Sequence, residues 1–288
     1  MAIYRRRYRA YSGELTSVRS RAAVLIRYAF RELLGSRIFL AYLALCWAAP
    51  LVGMTLIYLH FNAFGLAVLQ TTVAELIPVD GMFFLRFLII QTSLGTVLAA
   101  VVGPGLIAPD LTNNALPLYL SRPLSRTGYV TGKLVVLVVL MSVLTWVPLL
   151  LMFALQCSLA GWSWLAANAG IAVAILGSSL AWIGVVSLLT LALSAWVRWR
   201  PVATVLVFGY FFVSAGLGSL INDVLETEWG DLVNVPEMLR SLWVVLFRVS
   251  AERQGVPVGA AVLGIIATCA FFVVLLGRKI RAYHVVRS

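Results

Sequence analysis

Charged side chains are scarce in this sequence. Of its 288 residues, 11% are charged and 62% are hydrophobic, with a mean hydropathy of +0.98. An average soluble domain is about 45–50% apolar and about 25% charged. One core of this size cannot remove so much apolar surface from water. The composition excludes an ordinary soluble domain and predicts an all-α, polytopic membrane protein.

Histidine and cysteine are also rare, with two His and three Cys in the chain. The cysteines are isolated inside apolar segments, so their spacing predicts neither a disulfide framework nor a metal site. We interpret each as a small packing residue. No His, Asp and Glu cluster suggests a metal or catalytic centre either. The cysteines are Cys46, Cys157 and Cys269.

Six apolar segments are long enough to cross a bilayer, which takes about 20 residues at a rise of 1.5 Å each. The second and fourth are long enough to tilt or to project beyond the lipid. The predicted spans are Ile38–Leu59, Met82–Ala108, Leu134–Cys157, Ala169–Val197, Val202–Ile221 and Pro257–Gly277.

The basic residues are unevenly distributed between the connections. Most of the 22 Lys and Arg lie in the N-terminal segment, the second-to-third and fourth-to-fifth connections and the C-terminal tail. Basic connections stay in the cytoplasm, so we predict both termini inside. The net charge of +11 is therefore interpreted as topology, and no nucleic-acid partner is predicted. The basic residues elsewhere are Arg86, Arg240, Arg248 and Arg253.

The predicted organisation has three parts: a cytoplasmic N-terminus (1–37), a transmembrane domain (38–277) and a basic tail (278–288). Within the first, Val18–Arg37 has apolar residues at helical spacing with arginines between them, typical of an amphipathic helix at the lipid interface. A soluble helix packed on another element is the alternative.

Two outer segments are unusual: residues 60–81 are too apolar for a free loop, and residues 222–256 start acidic and then become apolar. Residues 60–81 are predicted to carry a short helix near Phe64–Ile77. In the segment 222–256, the apolar run Pro236–Val249 is too short to cross and predicts a re-entrant or interfacial helix. A seventh span is the alternative, but it would place the basic tail outside.

Small residues form a ridge along the fourth span, which would let another helix approach closely. The ridge predicts a packing face, either within one protomer or between two. Its residues are Gly170, Ala174, Gly177, Ser178, Ala181 and Gly184.

The predicted spans contain almost no ionisable side chain. Carriers driven by proton or sodium gradients need such groups at mid-depth, so this class is excluded. Neutral polar residues in spans usually bond to backbone groups. Four that lie close together are also candidates for lining a pathway: Gln91, Thr92, Ser93 and Thr96.

Two glycine-rich stretches fail as nucleotide sites. Gly103–Ala108 lies at the end of a span and lacks a βαβ unit, and Gly128–Lys133 is one residue short of a phosphate loop, with Leu134 in place of Ser or Thr. We therefore predict that the chain is not an enzyme. Energy for any uphill transport would come from another polypeptide.

The cytoplasmic connection 109–133 is the place where such a partner could bind. Asp110 can cap a short helix, and Pro117 and Pro123 restrict the backbone. Leu116, Leu118, Tyr119 and Leu120 form an apolar surface on the aqueous side, which predicts a protein partner. A compact interhelical loop is the alternative.

The residues of this connection resemble the ABC type-2 transporter permease family. The matching pattern is Asp110-Leu111, Leu116-Pro117-Leu118, Leu120-Ser121-Arg122-Pro123, Ser125-Arg126, Tyr129 and Gly132-Lys133. Six spans, internal termini, an amphipathic N-terminal helix and a large outer segment between spans five and six also fit this family. The sequence departs at Thr112–Ala115, where members often have a charged residue and Gly-Thr.

The resemblance implies a permease subunit of an ATP-driven exporter in the inner membrane of a prokaryote. Its partners would be two ATP-binding-cassette ATPase subunits, which bind ATP and Mg, and a second permease chain, identical or similar. The competing hypothesis is a membrane anchor for an envelope complex that transports nothing. The coupling residues implied by the resemblance are Asp110, Leu111, Leu116, Pro117, Leu118, Leu120, Ser121, Arg122, Pro123 and Arg126.

Overall fold

The structure is a computed structural model that describes residues 18–62, 78–113, 126–197, 199–250 and 256–279. In this part of the chain the regular elements are nine α-helices and one 3₁₀ turn at Trp229–Leu232. The helices are α1 (Val18–Leu34), α2 (Arg37–Phe61), α3 (Gly81–Thr112), α4 (Arg126–Leu144), α5 (Trp146–Ala160), α6 (Trp162–Trp196), α7 (Arg200–Leu225), α8 (Val235–Leu246) and α9 (Val258–Lys279).

Six helical segments are long and apolar enough to cross a membrane, which confirms the predicted number of spans. They are α2, α3, α4 together with α5, α6, α7 and α9. Most of the helices extend past the apolar windows of the sequence. Because backbone hydrogen bonding does not depend on hydrophobicity, a helix continues into the polar boundary until a cap or proline ends it.

The third span is interrupted, whereas the sequence predicted one continuous segment. Thr145 has φ −105° and ψ −88° and separates α4 from α5. Pro148 explains the break, because its nitrogen has no hydrogen for the carbonyl of Leu144 and its ring crowds that carbonyl. The Thr145 hydroxyl donates to the carbonyl of Met141 at 2.8 Å.

Helix α6 lies at the centre of the bundle and contacts α3, α4, α5, α7, α8 and α9. Of its apolar window, 56% is buried, against 22% for α2 and 17% for α7 and α9. The ridge of small residues packs inside the chain. Gly177 faces Leu246 of α8 and Gly184 faces Cys269 of α9, whereas a side chain at Gly170 would meet no neighbour within 4 Å.

Helix α1 packs against α4 and α2. Five of its apolar side chains pack against the core, whereas Arg27 and Arg31 are exposed. The five are Leu25, Ile26, Ala29, Phe30 and Leu33. The helix ends at Leu34, and the Ser36 side chain then accepts the N–H of Phe39 and caps α2. The amphipathic pattern is present; its position at the lipid interface stays a prediction.

The segment after α7 folds back onto that helix. The Asn222 amide donates to Asp231 at 2.7 Å and accepts the N–H of Gly230 at 2.7 Å. Helix α8 follows and packs on α6 and α9. At 12 residues it is too short to be a seventh span, and its depth in the bilayer stays a prediction. The helix predicted near Phe64–Ile77 lies outside the described residues.

We name the two ends of the bundle by their charges. The basic end contains Ser36, Asp110, Lys133 and Arg200, which line one cavity. The acidic end is at the C-terminus of α7 and contains Asp223, Glu226 and Glu228, all exposed.

Candidate functional site

Three polar side chains meet at the basic end. The Tyr129 hydroxyl donates to Asp110 Oδ2 at 2.6 Å, and Lys133 Nζ lies 3.0 Å from the same oxygen. The Lys133 ammonium also lies 5.6 Å from the centroid of the Tyr129 ring. We call Asp110, Tyr129 and Lys133 the ion cluster. One carboxylate oxygen therefore binds two donors from α4.

The local sequence explains this arrangement. Asp110 follows Pro109 in the last turn of α3, and Tyr129 and Lys133 are four residues apart on α4. Residues at this spacing lie on the same helix face, so both α4 side chains reach the α3 terminus. Tyr129 is fully buried, and the side chains of Lys133 and Asp110 are 14% and 15% exposed. A charge this sheltered needs its partner, so the contact holds the two helix ends together.

The ion cluster lies where α3 ends and α4 begins, on both sides of the connection between them. It contains the first and last parts of the resemblance pattern, since Asp110 begins that pattern and Lys133 ends it. Leu111 lies in α3 and Arg126 begins α4. The remaining predicted coupling residues lie outside the described residues: Leu116, Pro117, Leu118, Leu120, Ser121, Arg122 and Pro123.

The four candidate pathway residues do not share one direction. Gln91 and Thr92 are buried, whereas Ser93 is exposed on α3. The hydroxyls of Thr92, Ser93 and Thr96 donate to carbonyls of their own helix. Gln91 Nε2 instead donates to the carbonyl of Cys46 in α2 at 3.0 Å. These bonds are structural, and a pathway role stays a prediction.

A cavity of about 780 Å³ lies between α1, the start of α2 and the basic-end half of α3. Its walls are mainly apolar, and Glu32, Asp110, Lys133 and Arg200 line its polar part. This cavity could not be predicted from the sequence, because its lining residues are far apart in the chain, from Val24 to Arg200. The ion cluster could have been found in part, since the Tyr-x₃-Lys spacing puts both residues on one face.

Among the residues that the structure describes, no group of three or more His, Cys, Asp or Glu could hold a metal ion.

These features define a multi-pass helical membrane protein with a closed polar cluster at one end. A family model described as ABC-2 family transporter protein matches residues 23–246, and the chain belongs to that family. It is the membrane component of an ABC transporter, as the resemblance at residues 110–133 predicted. No curated protein matches the sequence.

Proposed function

We propose that this chain is the permease subunit of an ATP-driven exporter and is coupled at its basic end to separately encoded ATPase subunits. The observation that carries the proposal is the ion cluster at the base of the connection 114–125. Because α3 and α4 are tied at that point, a force applied to the connection acts on the ends of two spans together.

The scarcity of titratable groups supports an external source of energy. The acids and histidines of the described residues lie near helix ends, so no ion gradient has an obvious site to act on. A partner ATPase, with ATP and Mg bound to it, would supply the energy. Helix α1 packs on α4 beside the ion cluster and is proposed as a second contact for that partner.

The assembly is proposed to contain two ATPase subunits and a second permease chain, identical or similar to this one. Both termini are proposed to lie in the cytoplasm, which the bias of basic residues supports, and the chain is proposed to lie in the inner membrane of a prokaryote. ATP binding would draw the ATPases together and shift the spans between inward-facing and outward-facing states.

The test is co-expression with a candidate ATP-binding-cassette ATPase from the same organism, followed by purification through a tag on the permease. We expect the ATPase to co-purify and to hydrolyse ATP. Replacing the predicted docking residues, Leu118→Asp and Leu120→Asp, is expected to lower both ATP turnover and ATPase recovery, because a charge opposes burial in an apolar groove.

Leu225→Asp provides the matched control, since Leu225 is 63% exposed at the acidic end. This variant should keep full ATPase recovery and turnover. If the two docking variants behave like the control, coupling through this connection is wrong. If no ATPase co-purifies with the unchanged chain, the membrane-anchor hypothesis is favoured instead.

A further inference from the structure

A proline in α3 frees a backbone carbonyl that another span binds. Pro104 has no N–H, so it cannot satisfy the carbonyl of Ala100 one turn earlier. The hydroxyl of Thr204, in α7, donates to that carbonyl at 2.8 Å. The span that follows the fourth-to-fifth connection is thus bonded to the backbone of the second span at its proline.

A second hydroxyl binds the next turn of α3. Ser194 of α6 is fully buried, and its Oγ accepts the N–H of Ala108 at 3.0 Å and donates to the carbonyl of Pro104 at 3.1 Å. An uninterrupted helix joins that N–H and that carbonyl to each other. Insertion of a side chain between such groups is a recurrent cause of helix bending.

The opposite side of the same segment faces open space. Gly105 and Pro109 line the cavity of about 780 Å³, and a side chain at Gly105 would meet nothing within 4 Å. Pro109 is a second interruption of the backbone ladder just before Asp110. Residues 100–112 therefore have hydroxyl contacts at Ala100, Pro104 and Ala108, open space beside Gly105, and the ion cluster at their end.

We propose that Ser194 and Thr204 are positioning residues that link residues 100–112 of α3 to α6 and α7, so that movement imposed at the ion cluster reaches the fourth and fifth spans. This inference rests on the proposed coupling to an ATPase. Two neutral hydroxyls then transmit movement from the basic end, where the ATPase is proposed to bind, to the rest of the bundle.

A purely structural role is separable from transmission. Thr204→Val keeps the shape and removes the donor, leaving the Ala100 carbonyl unsatisfied. Adding Pro104→Ala restores an N–H for that carbonyl within α3. If Thr204 only satisfies the backbone, the double variant recovers every property. If Thr204 transmits movement, the double variant recovers thermal stability but not the response to nucleotide.

The measurement uses the permease–ATPase complex with its native cysteines replaced and spin labels at the acidic end. Arg86→Cys and Glu228→Cys provide exposed positions after α3 begins and after α7 ends. We expect a non-hydrolysable ATP analogue to change the distance between the labels in the otherwise unchanged chain. Thr204→Val and Ser194→Ala should lose most of that change, whereas Thr204→Ser, which keeps the hydroxyl, should retain it.

Thr268→Val is the matched control, because the Thr268 hydroxyl donates only to Gly264 of its own helix at 2.8 Å. It should respond like the unchanged chain. A full distance change in Thr204→Val and Ser194→Ala overturns the inference, as does full recovery in the double variant with Pro104→Ala. An unchanged chain that binds no ATPase, or ignores the analogue, instead contradicts the proposed function.

Discussion

At the scale of single residues, the Tyr129 hydroxyl makes the shortest contact of the ion cluster, at 2.6 Å from Asp110 Oδ2. It is buried and donates to a carboxylate that also binds Lys133. Hydrogen bonds to charged groups are stronger than neutral ones, and their loss costs about 1.5–3 kcal/mol. The contact therefore matters for holding α3 to α4.

We predict that Tyr129→Phe lowers the free energy of unfolding by about 1.5–3 kcal/mol, because Asp110 loses one of its donors. Thermal unfolding of the detergent-purified chain should show a reduced Tm. Tyr28→Phe is the matched control, since Tyr28 is 71% exposed and should leave the Tm unchanged. Equal Tm values for both variants would mean that the hydroxyl contributes nothing.

Neutral polar side chains in the spans bond to backbone carbonyls, as expected from the sequence. The sequence did not show which carbonyl each of them binds. A proline inside a span shows directly which carbonyl it frees, and Pro50 frees that of Cys46. The sequence does not say that Gln91 of another span donates to it, as it does at 3.0 Å. That pairing depends on which helices are neighbours and on their rotation, and neither follows from hydropathy.

At the scale of helices, glycines decide how closely α3 approaches α6. Gly95 and Gly103 lie on the same face of α3 and are matched by Trp182 and Thr190 on α6. A Cβ at Gly103 would lie 2.7 Å from the Cβ of Thr190, and one at Gly95 would overlap the Trp182 ring. Glycines of α3 therefore pack against larger side chains of α6, and the two helices run parallel.

Gly95→Ala is predicted to destabilise the protein by about 1–3 kcal/mol, the usual cost of overpacking a tight contact. Gly216→Ala is the control, because a side chain there would meet nothing within 4 Å. The comparison is between the two midpoints of thermal unfolding. A Gly95→Ala protein as stable as the control would show that α3 and α6 can separate without cost.

The number of spans could be predicted from the sequence, but the interruption of the third span could not. Pro148 marks a place in the third span where a break could occur, but Pro50 and Pro104 lie inside helices that continue. A proline in the sequence therefore does not show by itself which span is interrupted. The tight packing at Gly95 and Gly103 of α3 could not be predicted either, because it depends on Trp182 and Thr190 of α6 lying opposite them. Such features follow from packing and need the three-dimensional arrangement.

At the scale of the whole molecule, charge and hydrophobicity together define an orientation that can be measured. The basic end contains the ion cluster, and the acidic end contains Asp223, Glu226 and Glu228. From the positive-inside rule we expect the basic end to face the cytoplasm.

We predict that, without the native cysteines, Glu228→Cys reacts with a membrane-impermeant maleimide in intact cells. Asn113→Cys, at the exposed end of α3, should react only after the cells are permeabilised. These two positions control for each other, since both are exposed. The reverse pattern would place the ion cluster outside and would remove the basis for ATPase coupling.

The central position of α6 has a consequence for biogenesis. Helices α7, α8 and α9 leave the ribosome after α6, yet they cover much of its surface, including the ridge at Gly177 and Gly184. During synthesis, the surface of α6 that these helices will cover is therefore exposed to the translocon or to lipid until α9 has been inserted. A nascent chain halted before Val258 lacks that final neighbour and is expected to be a substrate for membrane quality control.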